Sequence, residues 1–221
     1  MSMDIDYDDY YDAQGEWEAQ LIKDGIREQS RDRVRDYLAT YGGAVESRIN
    51  MCLEQARKLL GEHPHLAVSL ACTAAELTVR YLILRPLIQG ALFSRAWEGI
   101  LIRRMLGQRS ASDRELFPAV LRAEGIEVSA AKLDDGREIW PLFVTSVVPL
   151  RNNIAHKGAS AGREQGVDAI VCAEHMLSLI VTPLAMRFGL SWSKSGVWHR
   201  IEQGVGGATF SMTYKPADPF V

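Results

Sequence analysis

Apolar residues recur at three- and four-residue spacing along most of the chain, the pattern of helices that turn one face inward. From about Glu16 to Thr40, the positions Trp17, Leu21, Ile26, Val34 and Leu38 predict a charged helix that Tyr41-Gly42-Gly43 should end. Ala44–Leu60 is more sharply amphipathic: Val45, Ile49, Cys52, Leu53, Ala56, Leu59 and Leu60 share a face, and Gly61 stops it. Pro64 opens a helix to about Leu84 at a first-turn position that tolerates proline. That helix is apolar nearly all round, so it is expected at the centre of a bundle. Pro86 should break or kink it.

The texture stays helical over Leu87–Leu106, with Arg95, Arg103 and Arg104 outward. Ser112-Asp113-Arg114-Glu115 resembles a capping box opening a short helix to Glu124. Asp134-Asp135-Gly136 reads as a turn. Arg137–Lys157 predicts another long helix despite Pro141 and Pro149, ended by Gly158, and Glu164–Phe188 predicts the last one. From Leu190, Trp192, Val197, Trp198, Ile201, Phe210, Met212 and Tyr214 alternate loosely among glycines, which predicts a small β-hairpin or an irregular flap. The expected architecture is all-α. It comprises a loose acidic tail over 1–15, an N-terminal helix over 16–43, a helical bundle over 44–190 and a C-terminal extension over 191–221.

Composition narrows this picture. A chain of 221 residues, 47% hydrophobic and 24% charged, can bury a core without disulfide or metal staples. The net charge of -3 hides a split. Residues 1–28 carry nine acids against Lys23 and Arg27, a net of -7, and the remainder carries 23 bases and 19 acids, a net of +4. The acidic segment with Tyr7, Tyr10 and Tyr11 is either a solvated tail or a mimic of RNA over a basic cleft. Cys52, Cys72 and Cys172 stand apart in apolar runs with no CxxC pair, as expected of buried thiols in a reducing compartment. The N-terminus lacks an apolar signal core, and the uncharged stretch Leu66–Ala75 is too short for a bilayer. The expectation is a soluble cytoplasmic protein with no membrane partner.

Two helices carry candidate chemistry. In the central one Ser69, Thr73, Glu76 and Arg80 follow a four, three, four spacing, which puts them on one stripe of an apolar cylinder. Glu76 and Arg80 either neutralise each other at i,i+4 or face a cleft. In Arg137–Lys157 the same spacing recurs at Thr145, Pro149, Asn152 and His156. Arg151, Asn152 and His156 fall within an arc of roughly 140°. That arc offers a fixed cation, an amide and an imidazole. His156 and Lys157 alternatively meet the helix C-terminal dipole.

Arg151-Asn152-Asn153-Ile154-Ala155-His156 resembles the RNxxxH form of the motif of HEPN domains, late in a helical bundle. Ala74-Ala75-Glu76-Leu77 on an upstream helix adds to the likeness, which spans roughly Ala44–Leu190. The resemblance implies a metal-independent endoribonuclease of toxin or anti-phage defence type, working as a homodimer with two motifs face to face. It implies catalytic roles for Arg151 and His156, an orienting role for Asn152 and an auxiliary one for Glu76. Arg80, Thr73, Lys157 and Thr145 are candidates for holding RNA. No cofactor and no metal is expected, and an antitoxin or defence-system protein is the expected partner. The Tyr found two residues after the His in HEPN toxins paired with a nucleotidyltransferase antitoxin is replaced here by Gly158, so that form of control is not expected. A catalytically silent dimerising or docking module, and a nucleotide-binding bundle built on the Glu76/Arg80 stripe, are the competing classes.

Other features are weaker. Arg95, Arg103, Arg104 and Arg109 suit phosphates or simply a wet helix face. Trp192 and Trp198 suit base stacking or a clasp over the bundle. His63-Pro64-His65 has no defensible metal spacing with Cys52 or Cys72, and His175 and His199 suit packing or surface.

Overall fold

The computed structural model describes residues 7–90, 111–192 and 198–200. Of the described residues 83% are helical, with almost no strand, so the protein is all-α. The first helix, α1, is Tyr7–Leu59, a single run of 53 residues and roughly 80 Å at 1.5 Å per residue. It begins inside the stretch expected as a loose tail, and it runs through Gly42-Gly43 without the expected break. Each glycine costs a helix about 1 kcal/mol against alanine. Yet Leu38, Ala39, Val45 and Ile49 on either side are all buried, and burying one large aliphatic side chain gains about 1.5–3 kcal/mol. Packing therefore outweighs propensity, and no boundary falls at 43/44.

The central helix α2 is Pro64–Gly90, with Pro64 at its first position. Pro86 does not break it. The stretch Thr78–Leu84 widens into a π-helix just before the α-helical Arg85–Gly90. The same device appears twice more. Helix α4 covers 139–157 with a π-helical Phe143–Val147 ahead of Val148–Lys157. Helix α5, Arg163–Arg187, has a π-helical Leu177–Val181 ahead of Thr182–Arg187. Each wide turn is followed by a proline at the second position of the next α-helical stretch: Pro86, Pro149 and Pro183. A proline lacks the N–H and its ring collides with the carbonyl four residues back. Hydrogen bonds spanning five residues shift that carbonyl and let the helix continue.

Helix α2 packs against α1, α4 and α5. Leu38, Ile49, Leu82, Ile83, Phe143, Met176 and Ile180 are fully buried there. The short helix α3, Ala111–Ala123, is clasped to the start of α4 by Phe117 stacked on Trp140 at 4.1 Å between ring centroids. Arg57–Glu174 (2.6 Å) and Arg137–Asp168 (2.7 Å) bridge neighbouring elements in solvent, where such pairs contribute roughly 0–1 kcal/mol each. Strand β1, Leu190–Trp192, pairs antiparallel with β2, Trp198–Arg200, with Ser191 opposite His199. The expectations for Arg95, Arg103, Arg104 and Arg109, and for Ile201 onward, lie outside the described residues.

Helices α2 and α5 are long and apolar enough to cross a membrane, at mean hydropathies of 1.5 and 1.7. About half of each apolar window (56% and 50%) is buried inside the bundle, however. The crossing of α2 over α1 is set by Gly90. A Cβ there would lie 2.6 Å from Val34 Cγ2 and 3.1 Å from the Ser30 carbonyl oxygen. Gly90→Ala is expected to lower unfolding free energy by about 1–3 kcal/mol through overpacking. A urea titration checks this, and an unmoved midpoint would contradict the close crossing.

Candidate functional site

Glu76 sits near the end of the first α-helical stretch of α2, one turn above the buried Cys72. Arg151 reaches it from α4, with Nη2 donating to Glu76 Oε1 at 2.5 Å. Both side chains are part-exposed, 28% for Arg151 and 32% for Glu76. The other fork of the guanidinium, Nη1, donates to Asn152 Oδ1 at 3.0 Å. Below them Cys72 Sγ lies 4.0 Å from Glu76 Oε1. Burial pushes the Cys72 thiol up to about 12; the Glu76 charge adds to this and the Arg151 charge opposes it. Burial works against the Arg151 cation too, but Glu76 and the Cys72 sulfur hold its pKa above the usual guanidinium value. The cluster is thus a permanently charged guanidinium fixed at two points over a neutral thiol.

The intrahelical Glu76–Arg80 pair does not form. Arg80 is exposed and lies within the π-helical stretch that begins at Thr78, so the i,i+4 phase of a straight α-helix is lost there. The same reasoning separates Thr145 from the Asn152/His156 stripe, because Phe143–Val147 is π-helical. The hydroxyls are engaged with their own helices: Thr73 Oγ1 donates to the Ser69 carbonyl at 2.9 Å and Thr145 Oγ1 to the Pro141 carbonyl at 2.7 Å. No hydrogen bond or ion pair among the described residues joins Thr73, Arg80, Thr145 or Lys157 to the Arg151–Glu76 pair.

His156 stands in solvent, one residue before the end of α4. Gly158 ends the helix at φ 63, a left-handed conformation that suits glycine. Gly158 N–H donates to the Ile154 carbonyl at 3.1 Å and Ala159 N–H to that of Asn153 at 3.3 Å. Backbone groups therefore cap these carbonyls, and the His156 ring makes no hydrogen bond among the described residues. Over Val148–Lys157 no residue is buried. This end of α4 is an open face that holds one anchored cation, one amide and one exposed imidazole.

The sequence reading missed Cys72 as a member of the cluster. Its i,i+4 spacing to Glu76 was the available signal. Among the described residues no group of three or more His, Cys, Asp and Glu side chains is placed to hold a metal ion. His63 and His65 meet edge-on at 6.0 Å between centroids, and His175 Nδ1 lies 2.9 Å from the Val171 carbonyl. A cavity of about 190 Å³ opens between α4 and α5, lined by Leu142, Ser146, Val147, Leu150, Gln165 and Asp168.

Set against family models, curated proteins and solved structures, the chain matches none.

Glu76→Gln is expected to reduce unfolding free energy by no more than about 1 kcal/mol, because the ion pair is part-exposed and water replaces it. Chemical denaturation reads this. A loss of several kcal/mol would mean that the guanidinium is sealed from solvent.

Proposed function

We propose that the protein is a metal-independent endoribonuclease of HEPN type, built on a HEPN-like bundle with a C-terminal hairpin and acting as a cytoplasmic homodimer in a toxin or anti-phage defence role. The observation that carries this reading is the division of labour on α4. Arg151 is held at two points by Glu76 and Asn152, whereas His156, on the same short arc, is exposed and unbonded among the described residues.

Cleavage of RNA through its own 2′-hydroxyl needs those two kinds of group. One imidazole takes the 2′-hydroxyl proton as the oxygen attacks phosphorus. The Arg151 guanidinium holds the charge that builds on the non-bridging oxygens, a planar grip that suits phosphate. An imidazolium returns a proton to the departing 5′-oxygen. The products are a 2′,3′-cyclic phosphate and a 5′-hydroxyl. One chain supplies a single imidazole on this face, and a two-fold dimer supplies both the base and the acid. Asn152 positions Arg151. An antitoxin or defence-system protein is the expected regulator.

The silent docking module fits the same open helix end, but gives no reason for a guanidinium fixed by both a carboxylate and an amide. The nucleotide-binding reading on Glu76 and Arg80 is disfavoured, because Glu76 is engaged by Arg151 and Arg80 stands apart. Expression in a growing host separates the classes. The wild type should arrest growth, and Arg151→Ala or His156→Ala should relieve it. Equal effects of all three proteins would count against the nuclease.

A further inference from the structure

Cys72 stands beneath the Arg151–Glu76 pair. It is fully buried, on a helix packed against α1, α4 and α5. Its Sγ lies 4.0 Å from Glu76 Oε1, the same oxygen that accepts from Arg151 Nη2 at 2.5 Å. The sulfur is also close enough to the guanidinium to act on its charge. Cys72 and Glu76 are one turn apart within Pro64–Leu77, ahead of the π-helical stretch that begins at Thr78. Their i,i+4 relation is therefore that of a regular α-helix.

The neighbouring hydroxyls do not reach the carboxylate. Ser69 Oγ donates to the His65 carbonyl at 3.0 Å and Thr73 Oγ1 to the Ser69 carbonyl at 2.9 Å. Among the described residues, the side chains that donate to Glu76 are Arg151 and Cys72.

These two hold Glu76 in different ways. Arg151 is 28% exposed and Glu76 32%, so both have water beside them and rotamer freedom to lose. An ion pair in such a place exchanges readily with water. Cys72 is packed into the core and has no such freedom. Burial pushes its thiol up to about 12, so at neutral pH it offers an S–H to the carboxylate rather than a second negative charge. A thiol is a weak donor. Its contribution is therefore directional: it sets where Oε1 rests rather than how tightly Glu76 is bound. We propose that Cys72 is a positioning residue, whose core-anchored thiol fixes Glu76 Oε1 and, through it, the direction in which Arg151 presents its guanidinium. The consequence for RNA cleavage rests on the endoribonuclease reading; the consequence for the guanidinium does not.

The full-length wild type is compared with Cys72→Ala, Cys72→Val and Cys172→Ala. Alanine removes the thiol and leaves a gap, whereas valine removes it and fills the space. Cys172 is equally buried on α5, with its Sγ 3.6 Å from the Ile139 carbonyl oxygen, so its loss controls for a loosened core. Nitrogen NMR of the guanidinium groups reads the hold on Arg151 directly, with Arg151→Lys to identify its signals. The wild type and Cys172→Ala should show distinct, slowly exchanging Nη resonances for Arg151. Both Cys72 variants should merge them, with circular dichroism unchanged. At saturating RNA both Cys72 variants should cleave about tenfold more slowly with KM unchanged, because the guanidinium is present but misdirected. Wild-type Nη signals in either folded Cys72 variant, cleavage by either as fast as that of a cleaving wild type, or equal losses in Cys172→Ala would overturn the positioning role. If the wild type cleaves no RNA, the nuclease reading falls, and the Nη signals still decide the role of Cys72.

Discussion

Arg151→Ala is expected to slow RNA cleavage by about 10²–10³-fold, the usual cost of removing one fixed group that stabilises developing charge. His156→Ala should cost about 10²–10⁴-fold, the range for a lost general acid or base. The double variant should be little worse than the poorer single one, because the two groups serve one transition state. Arg151→Lys is the informative control. It keeps a cation for Glu76 but loses the second donor that reaches Asn152 Oδ1 and the planar grip on phosphate. It should therefore retain the fold and remain strongly impaired. Single-turnover rates on a short RNA read all four variants, and a Lys variant near wild-type rate would mean that Arg151 acts only as a bulk charge.

Glu46 should dominate the pH dependence of stability. It lies on α1 with only 6% of its surface exposed, and burial pushes its carboxyl up to about 8. The unfolded chain gives up this proton near pH 4.5, while the folded chain keeps it to about pH 8. Across that window the unfolded state binds fewer protons, so stability falls as pH rises and levels off above about 8. Each pH step within the window removes about 1.4 kcal/mol, so the whole effect is on the order of a few kcal/mol. Glu46→Gln should flatten this slope and make the protein more stable than wild type at pH 8. Urea unfolding at pH 5 and pH 8 checks both statements. Equal pH slopes in the two proteins would mean that the Glu46 carboxylate finds a compensating partner in the folded chain.

The helical periods were legible because packing follows them: Val45, Ile49, Leu53 and Ala56 all face the core. Gly42-Gly43 does not end the helix, because burial of Leu38, Ala39, Val45 and Ile49 on either side outweighs the local cost of the glycines. The prolines misled in a more specific way. Pro86 looked like a break, but a preceding π-helical stretch absorbs it, and spacing alone does not announce that adjustment. The same stretches removed Arg80 and Thr145 from stripes that assume 3.6 residues per turn. Arg151, Asn152 and His156 lie after the wide turn of α4, within uninterrupted α-helix, so their relation survived intact. The bond from Arg151 to Glu76 crosses 75 positions and had no local signal. Cys72 was hidden by its ordinary role as a small buried hydrophobe.

The chemistry itself is open to a simple assay. Purified protein is incubated with total RNA in EDTA, the cut ends are mapped, and the His156→Ala protein serves as control. New 2′,3′-cyclic phosphate and 5′-hydroxyl ends that vanish with the substitution are the expected outcome. Intact RNA, or fragments that form equally with the His156→Ala protein, would contradict it.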